Sequence, residues 1–228
     1  SFDAAIGNVP FGDYSVHDKA YNRHGFLIHD YFFAKTIDQV KPGGVIAFIT
    51  SKGTLDKKNS SVRKYIAERA DLLGAIRLPN TAFKENAGAE VTSDILILQK
   101  RAEPQAVKED VSWLHLGRDE TNLTYNQYFI DHPEMVIGEM QAVSGRFGQD
   151  AACILTDVAT FEQRMDRAVR QIQGSIAEVT LFDEYEDIME GIPADPALPN
   201  YAYSVVDEKV YYRENDVMIP QESSGSGT

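Results

Sequence analysis

A chain of 228 residues, 43% hydrophobic and 25% charged, has the composition of an ordinary globular protein, long enough for one domain with an appendage. It holds no run of 18 apolar residues, which excludes a helical membrane span. Its single cysteine, Cys153, excludes an internal disulfide and a cysteine-based zinc site and suits a cytoplasmic setting. The net charge of −13 argues against tight nonspecific DNA binding, but it is unevenly spread: residues 151–228 hold 15 acids and 5 bases, whereas 52–101 holds 10 bases and 6 acids.

Residues 1–8 have neither a basic nor an apolar leader region, so no signal peptide is expected. Residues 2–6 form an apolar, strand-like run that stops at Gly7. Residues 12–25 are polar and irregular. The spacing of Phe26, Leu27, Tyr31, Phe33, Ala34, Ile37 and Val40 predicts a helix over 26–40, stopped by Lys41-Pro42-Gly43-Gly44. The run VIAFIT at 45–50 reads as a short strand buried on both faces, as in a parallel sheet. A helix is expected over 60–71, capped by Asn59 or Ser60, with strands over 72–78 and 93–101. The 14-residue loop between those strands is long for a compact domain and is a candidate functional loop. This order, β-α-β-α-β-loop-β, predicts an α/β fold, half of a doubly wound sheet.

Beyond residue 101 the pattern weakens. Residues 111–116 (VSWLHL) are a candidate strand, and 122–150 holds two turn-rich segments. An amphipathic helix is expected over 157–176. Residues 183–200 read as an acidic, Pro-rich linker, 203–214 as a hairpin turning at Asp207-Glu208, and 221–228 as a disordered tail. The expected division is 1–103 as the sheet, 104–180 as a mixed α+β extension, and 181–228 as linker, hairpin and tail.

The turn Gly7-Asn8-Val9-Pro10-Phe11-Gly12 contains more than turn formation requires. In an open α/β sheet, ligands bind outside the carboxyl ends of the strands, where this turn falls. There the Asn8 side-chain oxygen can accept one N–H of an amino group. A neighbouring carbonyl, held outward by Pro10, can accept the other. Together they localise the nitrogen lone pair and support the charge that develops as it attacks an electrophile. Phe11 can stack on the flat ring bearing the amine. The alternative is a plain turn with Phe11 in the core, and the four residues alone do not separate the two.

The motifs around this turn resemble a known family. Asn8-Val9-Pro10-Phe11 is similar to motif IV, (Asp/Asn/Ser)-Pro-Pro-(Tyr/Phe), of the amino-methyltransferases that use S-adenosylmethionine. VKPGGVIAFIT at 40–50 stands where that family has its next strand. FLIHDYFFAKT, ITSKGTLDK, RKYIAERA, DILILQKR, HPEMVIGEM and, more loosely, VYYREN resemble the N6-adenine DNA methylase modules of very large phage and mobile-element polypeptides, next to helicase regions. The likeness covers most of residues 2–218.

The resemblance implies the C-terminal half of a Rossmann-like methyltransferase sheet over 1–103, followed by the α+β appendage. The implied reaction moves the methyl of S-adenosyl-L-methionine to N6 of a flipped adenine, with DNA as partner and a helicase region in the same polypeptide. It implies Asn8 and the Val9 carbonyl as acceptors, Pro10 as the residue that sets the turn, Phe11 as the stacking ring, and Phe83 as a second aromatic near the base. Val9 stands where the general motif has Pro, but the role belongs to the backbone carbonyl, which Val retains. The family's Phe-x-Gly-x-Gly cofactor loop and ribose-binding acid precede motif IV and have no counterpart here. The expectation is therefore a fragment, inactive without an upstream cofactor-binding half, whose first strand becomes an exposed edge prone to self-association. Alternatives are a methylase of another planar amine or amide (protein glutamine, guanine N2 of RNA) and a noncatalytic methylase-fold scaffold attached to a helicase.

Four other groups stand out. Lys52, Lys57 and Lys58 follow the strand at 45–50 and could meet phosphates, Lys52 foremost, although a solvated lysine face has the same pattern. His17, His24 and His29 lack metal-ligand spacing and read as loop or capping residues, so no metal is expected. Asp13 and Asp18 read as solvated loop residues. The acidic segment 157–200 reads as an interdomain surface.

Overall fold

The first apolar run forms β1 (Phe2–Asn8). After α1 (Ile28–Gln39), β2 (Val40–Ser51) lies beside β1 in parallel, with Ala5 opposite Ile46 and Asn8 opposite Ile49. The computed structural model describes residues 2–10, 17–19, 21, 25–83, 91–145, 148–174, 192–194, 197–206, 209–214 and 217–220. The chain divides into two units, 1–178 and 179–228.

In the first unit, α2 (Gly53–Asp56) and α3 (Ser61–Arg69) lead to β3 (Ala70–Leu78), and β4 (Ser93–Lys100) then enters between β2 and β3. The sheet order is β1-β2-β4-β3, with β4 antiparallel to both neighbours. β1, β2 and β3 therefore run one way and share one carboxyl edge. The fold is α/β, the C-terminal half of a doubly wound Rossmann-like sheet, as the motif order predicts.

One face of this sheet is dry. Ile46, Phe48 and Thr50 of β2 and Leu96 and Leu98 of β4 are buried on it, and Phe33 of α1 meets Phe48 edge-on at 5.3 Å. Each such apolar side chain contributes roughly 1.5–3 kcal/mol by leaving water. The expectation that VIAFIT is buried on both faces does not hold. Val45, Ala47 and Ile49 are only half-buried, and on β1 Ile6 is 85% exposed. The reason is the alternation of Cβ along a strand together with helices α1 and α3 on one side. At the β3 end the second face is covered by a later part of the chain: a Cβ on Gly74 would come within 2.8 Å of Ile172.

Boundaries also moved. Lys41-Pro42-Gly43-Gly44 does not separate helix from strand, because β2 begins at Val40 and includes it. The glycine pair makes an irregularity in the β1–β2 ladder between Phe2 and Ala4. Gly43 sits at φ 78° and a Cβ on Gly44 would meet Asp3 O at 2.7 Å, so only glycine fits there. The 60–71 helix ends at Arg69, where β3 begins.

Residues 111–116 are not a strand. Ser112–Leu114 is one 3₁₀ turn that buries Trp113 and Leu114, and β5 (Leu116–Arg118) starts after it. The turn-rich stretch 122–150 holds β6 (Thr124–Asn126), α4 (Gln127–Asp131), a 3₁₀ turn at Pro133–Met135 and a hairpin of β7 (Glu139–Gly145) and β8 (Gly148–Ile154). The expected helix of 157–176 is shorter: a 3₁₀ turn, Val158–Thr160, opens α5 (Phe161–Gln171).

In the second unit β9 (Ile192–Pro193), β10 (Tyr203–Val206), β11 (Lys209–Glu214) and β12 (Val217–Pro220) form an antiparallel sheet in the order β10-β11-β12-β9. Residues 192–193 of the expected linker are thus a strand. The turn at 207–208 and the tail 221–228 lie outside the described residues.

Candidate functional site

The carboxyl edge of the sheet is where the chemistry-bearing residues gather. Asn8 closes β1 there, exposed, and no described group bonds its side-chain amide. The next residue turns inward. Val9 is 2% exposed and its N–H donates to Ile49 O at 2.9 Å, so the backbone is pinned to β2 at the point where it leaves the sheet. No described donor meets the Val9 carbonyl. Pro10 is exposed, and no cis peptide bond occurs among the described residues. Asn8 and Val9 are thus adjacent groups held by one anchored backbone, with two oxygens available. Phe11 and Asp13 lie outside the described residues.

The other candidates are placed as follows. The Lys52 ammonium donates to Asp150 at 2.5 Å and to the Ala151 carbonyl at 2.6 Å. That pair ties the β7–β8 hairpin to the end of β2 and holds the Asp150 carboxyl below the usual range, against the opposing effect of partial burial. Two further bonds fix β8 on the same edge: Asn80 N–H to Cys153 O at 2.8 Å, and Cys153 N–H to Thr92 Oγ1 at 3.0 Å. Phe83 is half-buried and packs against the core. Lys57 lies 3.1 Å from His29 Nε2 and 3.2 Å from Asp30 Oδ2, and Lys58 is exposed. His29 is not a loop residue: it is buried in the first turn of α1. His17 is exposed, and His24 lies outside the described residues. Asp18 accepts from Tyr31 and Lys35, each at 3.0 Å.

Cys153 is fully buried, and burial pushes its thiol up to about 12, so it carries no thiolate at neutral pH. Among the described residues no cluster of His, Cys, Asp and Glu has the arrangement of a metal site.

Sequence reasoning missed the strongest polar feature of this edge. Arg77, fully buried near the end of β3, donates to both carboxylate oxygens of Asp94 at 2.8 and 2.9 Å and to both of Asp56 at 3.0 Å. Its guanidinium lies 4.3 Å from the centroid of the Phe129 ring. Burial opposes the Arg77 charge, but two carboxylates in bidentate contact outweigh it and raise its pKa. Asp56 also accepts the Asn126 backbone N–H at 3.0 Å, and the buried Asn126 amide donates to Leu55 O and Trp113 O at 2.8 and 2.9 Å. The network binds β3, β4, α2 and the extension into one body beneath the edge. A signal existed: one arginine and one aspartate, each alone in an otherwise apolar strand (LLGAIRL and SDILIL), can both be buried only as partners.

The chain is 28% identical over 213 residues to "Defense against restriction protein B" of Escherichia phage P1, which accounts for 91% of this chain and 9% of that protein. Among the solved structures it is similar to are two with a TM-score of 0.34. One, from Listeria monocytogenes, is assigned to the class I S-adenosylmethionine-dependent methyltransferases (27% identity; 47% of this chain, 34% of that one). The other is the M protein of the type I restriction enzyme EcoKI (19% identity; 46% and 23%). The chain thus spans under a tenth of the curated relative and about a quarter to a third of the solved chains. The profile of the N-6 DNA methylase family matches residues 1–134, which include β1 with its Asn8 turn, the whole four-stranded sheet and the Arg77 network, and the chain belongs to that family.

Proposed function

We propose that this chain carries the amine-binding part of an S-adenosylmethionine-dependent DNA adenine-N6 methyltransferase. The observation that carries the reading is the pair of acceptors, Asn8 Oδ1 and Val9 O, that meet no described donor where the anchored chain leaves the carboxyl edge of an N-6 DNA methylase sheet. S-adenosylmethionine, when bound, supplies the methyl group. Asn8 and the Val9 carbonyl accept the two amino hydrogens of adenine. This draws the N6 lone pair out of ring conjugation and stabilises the positive charge that grows on nitrogen as its bond to carbon forms. Pro10 holds the carbonyl outward, and Phe11 stacks on the extruded base. Phe83 lies on the loop that borders the base, and Lys52 meets a backbone phosphate by exchanging Asp150 for it.

The described residues do not fit the cofactor. The Gly43-Gly44 pair sits near the start of β2, away from the carboxyl edge, and is filled by Val40 and Asp3. Its ribose and methionine are held by other residues of a longer polypeptide. Titration calorimetry of the chain with S-adenosylmethionine is expected to show no binding tighter than about millimolar, roughly 4 kcal/mol. A micromolar constant would place a cofactor site within the chain.

β1 stands at the end of the sheet order with Phe2 and Ile6 exposed, the arrangement in which an edge strand recruits another chain. We expect the isolated chain to self-associate through it. A monomer by light scattering, with fast amide exchange across residues 2–6, would count against this. No helix among the described residues is long and apolar enough to cross a membrane, and we place the protein in the cytoplasm with a helicase region in the same polypeptide. Methylated adenines would deny restriction enzymes their sites, in keeping with the name of the phage relative. A second reading is a noncatalytic scaffold, which a degenerate cofactor loop elsewhere in the longer polypeptide would favour. Methyl transfer by the longer polypeptide separates the two.

A further inference from the structure

A cleft of about 440 Å³ opens beside the first two turns of α5, lined by Thr160, Gln163, Arg164 and Arg167 on one side and by Glu134 and Val136 on the other. The positions 160, 163, 164 and 167 recur at helical spacing, so they form one stripe. A charged stripe is usually a solvated face. This one faces a concavity, while Phe161, Met165 and Ala168 of the same helix pack on the core.

Within the acidic segment 157–200 this helix is locally basic, carrying Arg164, Arg167 and Arg170 against Glu162 and Asp166. The state of its arginines is informative. Arg69, Arg77, Arg101 and Arg170 each meet a carboxylate. Among the described residues Arg164 meets the Gly138 carbonyl, at 3.2 Å, which steadies it, and no carboxylate. Arg167 is exposed and has no described partner. The one acid among the described lining residues, Glu134, lies 3.3 Å from His132 on the opposite wall and keeps its own charge, so the two guanidiniums leave the cleft with a net positive charge of one.

The cleft also has a meaningful place. Val136 bridges to Arg77, and Ile137 N–H donates to Arg77 O at 2.8 Å, so its far wall is joined to the end of β3 on the carboxyl edge. Two guanidiniums with no described carboxylate bound to them, and a hydroxyl and an amide beside them, suit a tetrahedral oxyanion. We propose that this cleft receives a backbone phosphodiester of the DNA on which the carboxyl edge acts, with Arg164 and Arg167 as its charge partners. The assignment rests on the reading that the substrate is DNA.

The test is the salt dependence of binding of a fluorescent duplex to the 228-residue chain. For every phosphate that is no longer neutralised, the slope of log K against log salt falls in magnitude by about one. The Arg164→Gln/Arg167→Gln variant, which keeps most of the aliphatic packing, is expected to lose about two in slope, and the double Arg→Lys variant to recover it. Equal thermal midpoints show that both are folded. An unchanged slope, or a parent chain that does not bind the duplex at low salt, overturns the proposal. Competition by inorganic phosphate that depends on the two arginines, with an unchanged DNA slope, also overturns it, because the cleft then takes a free anion. The readout is charge neutralisation rather than methyl transfer, so an Asn8→Ala protein that still methylates would defeat the amine clamp and leave this result standing.

Discussion

Asn8→Ala in the methylating protein is expected to lower N6-methyladenine formation about 10²–10³-fold while leaving the melting temperature within a degree or two of the parent. The rate forecast follows from the role proposed for the amide. An acceptor preorganised against charge that develops in the transition state is typically worth about 3–4 kcal/mol. The stability forecast follows from exposure: Asn8 is at a strand end, exposed, with no described partner to lose, and such substitutions cost about 0.5 kcal/mol or less. Val9 cannot be tested in this way, because its buried side chain anchors the turn while its proposed function lies in its backbone. Phe11→Ala completes the experiment. Loss of stacking on the base is worth roughly 1–3 kcal/mol in other nucleic-acid sites, whereas removing a core phenylalanine costs about 3–5 kcal/mol of folding stability. Methyl transfer and thermal midpoint are measured side by side. Normal methylation by both folded variants would defeat the clamp. A fall of many degrees for Phe11→Ala would assign that ring to the core and leave the role to Asn8.

The second large effect is one of stability. Arg77→Met should cost about 3–5 kcal/mol, because it strands Asp94, fully buried, without its counter-charge. The pair's net worth against an apolar pair is another matter. Desolvating three charges is expensive, and a hydrophobic replacement of similar volume is often neutral. Adding Asp94→Leu to Arg77→Met is therefore expected to restore part of the loss, with Asp56, only partly buried, returned toward solvent. The Lys52–Asp150 pair is the control. It is shorter, but Asp150 is half exposed, so Asp150→Asn should cost at most about 1 kcal/mol. Urea unfolding of the three variants decides between these values. A loss below about 1 kcal/mol for Arg77→Met would mean that Asp94 finds another partner or protonates cheaply.

The sequence by itself determined the strands of the sheet and the end of the first of them. Periodicity is a local property: apolar residues at helical spacing mark α1, and β-branched runs mark β2, β3 and β4, whatever they later pack against. The end of β1 at Asn8 was legible for the same reason, since a strand end is written within a few consecutive residues. Other features were settled only by packing. β4 runs antiparallel between β2 and β3, and the unequal burial of the two faces depends on which side the helices take. The segment 111–116 looks extended, yet it forms a 3₁₀ turn because Trp113 and Leu114 must reach the same core. The Arg77 network joins residues 21 and 17 positions apart, and Asn126 reaches back 70 positions to Asp56. Lys52 is matched to Asp150 across 98 positions. Whether a lysine or arginine is a solvated face, half of an ion pair or an open charge is decided by what the chain brings beside it, and that information is not local.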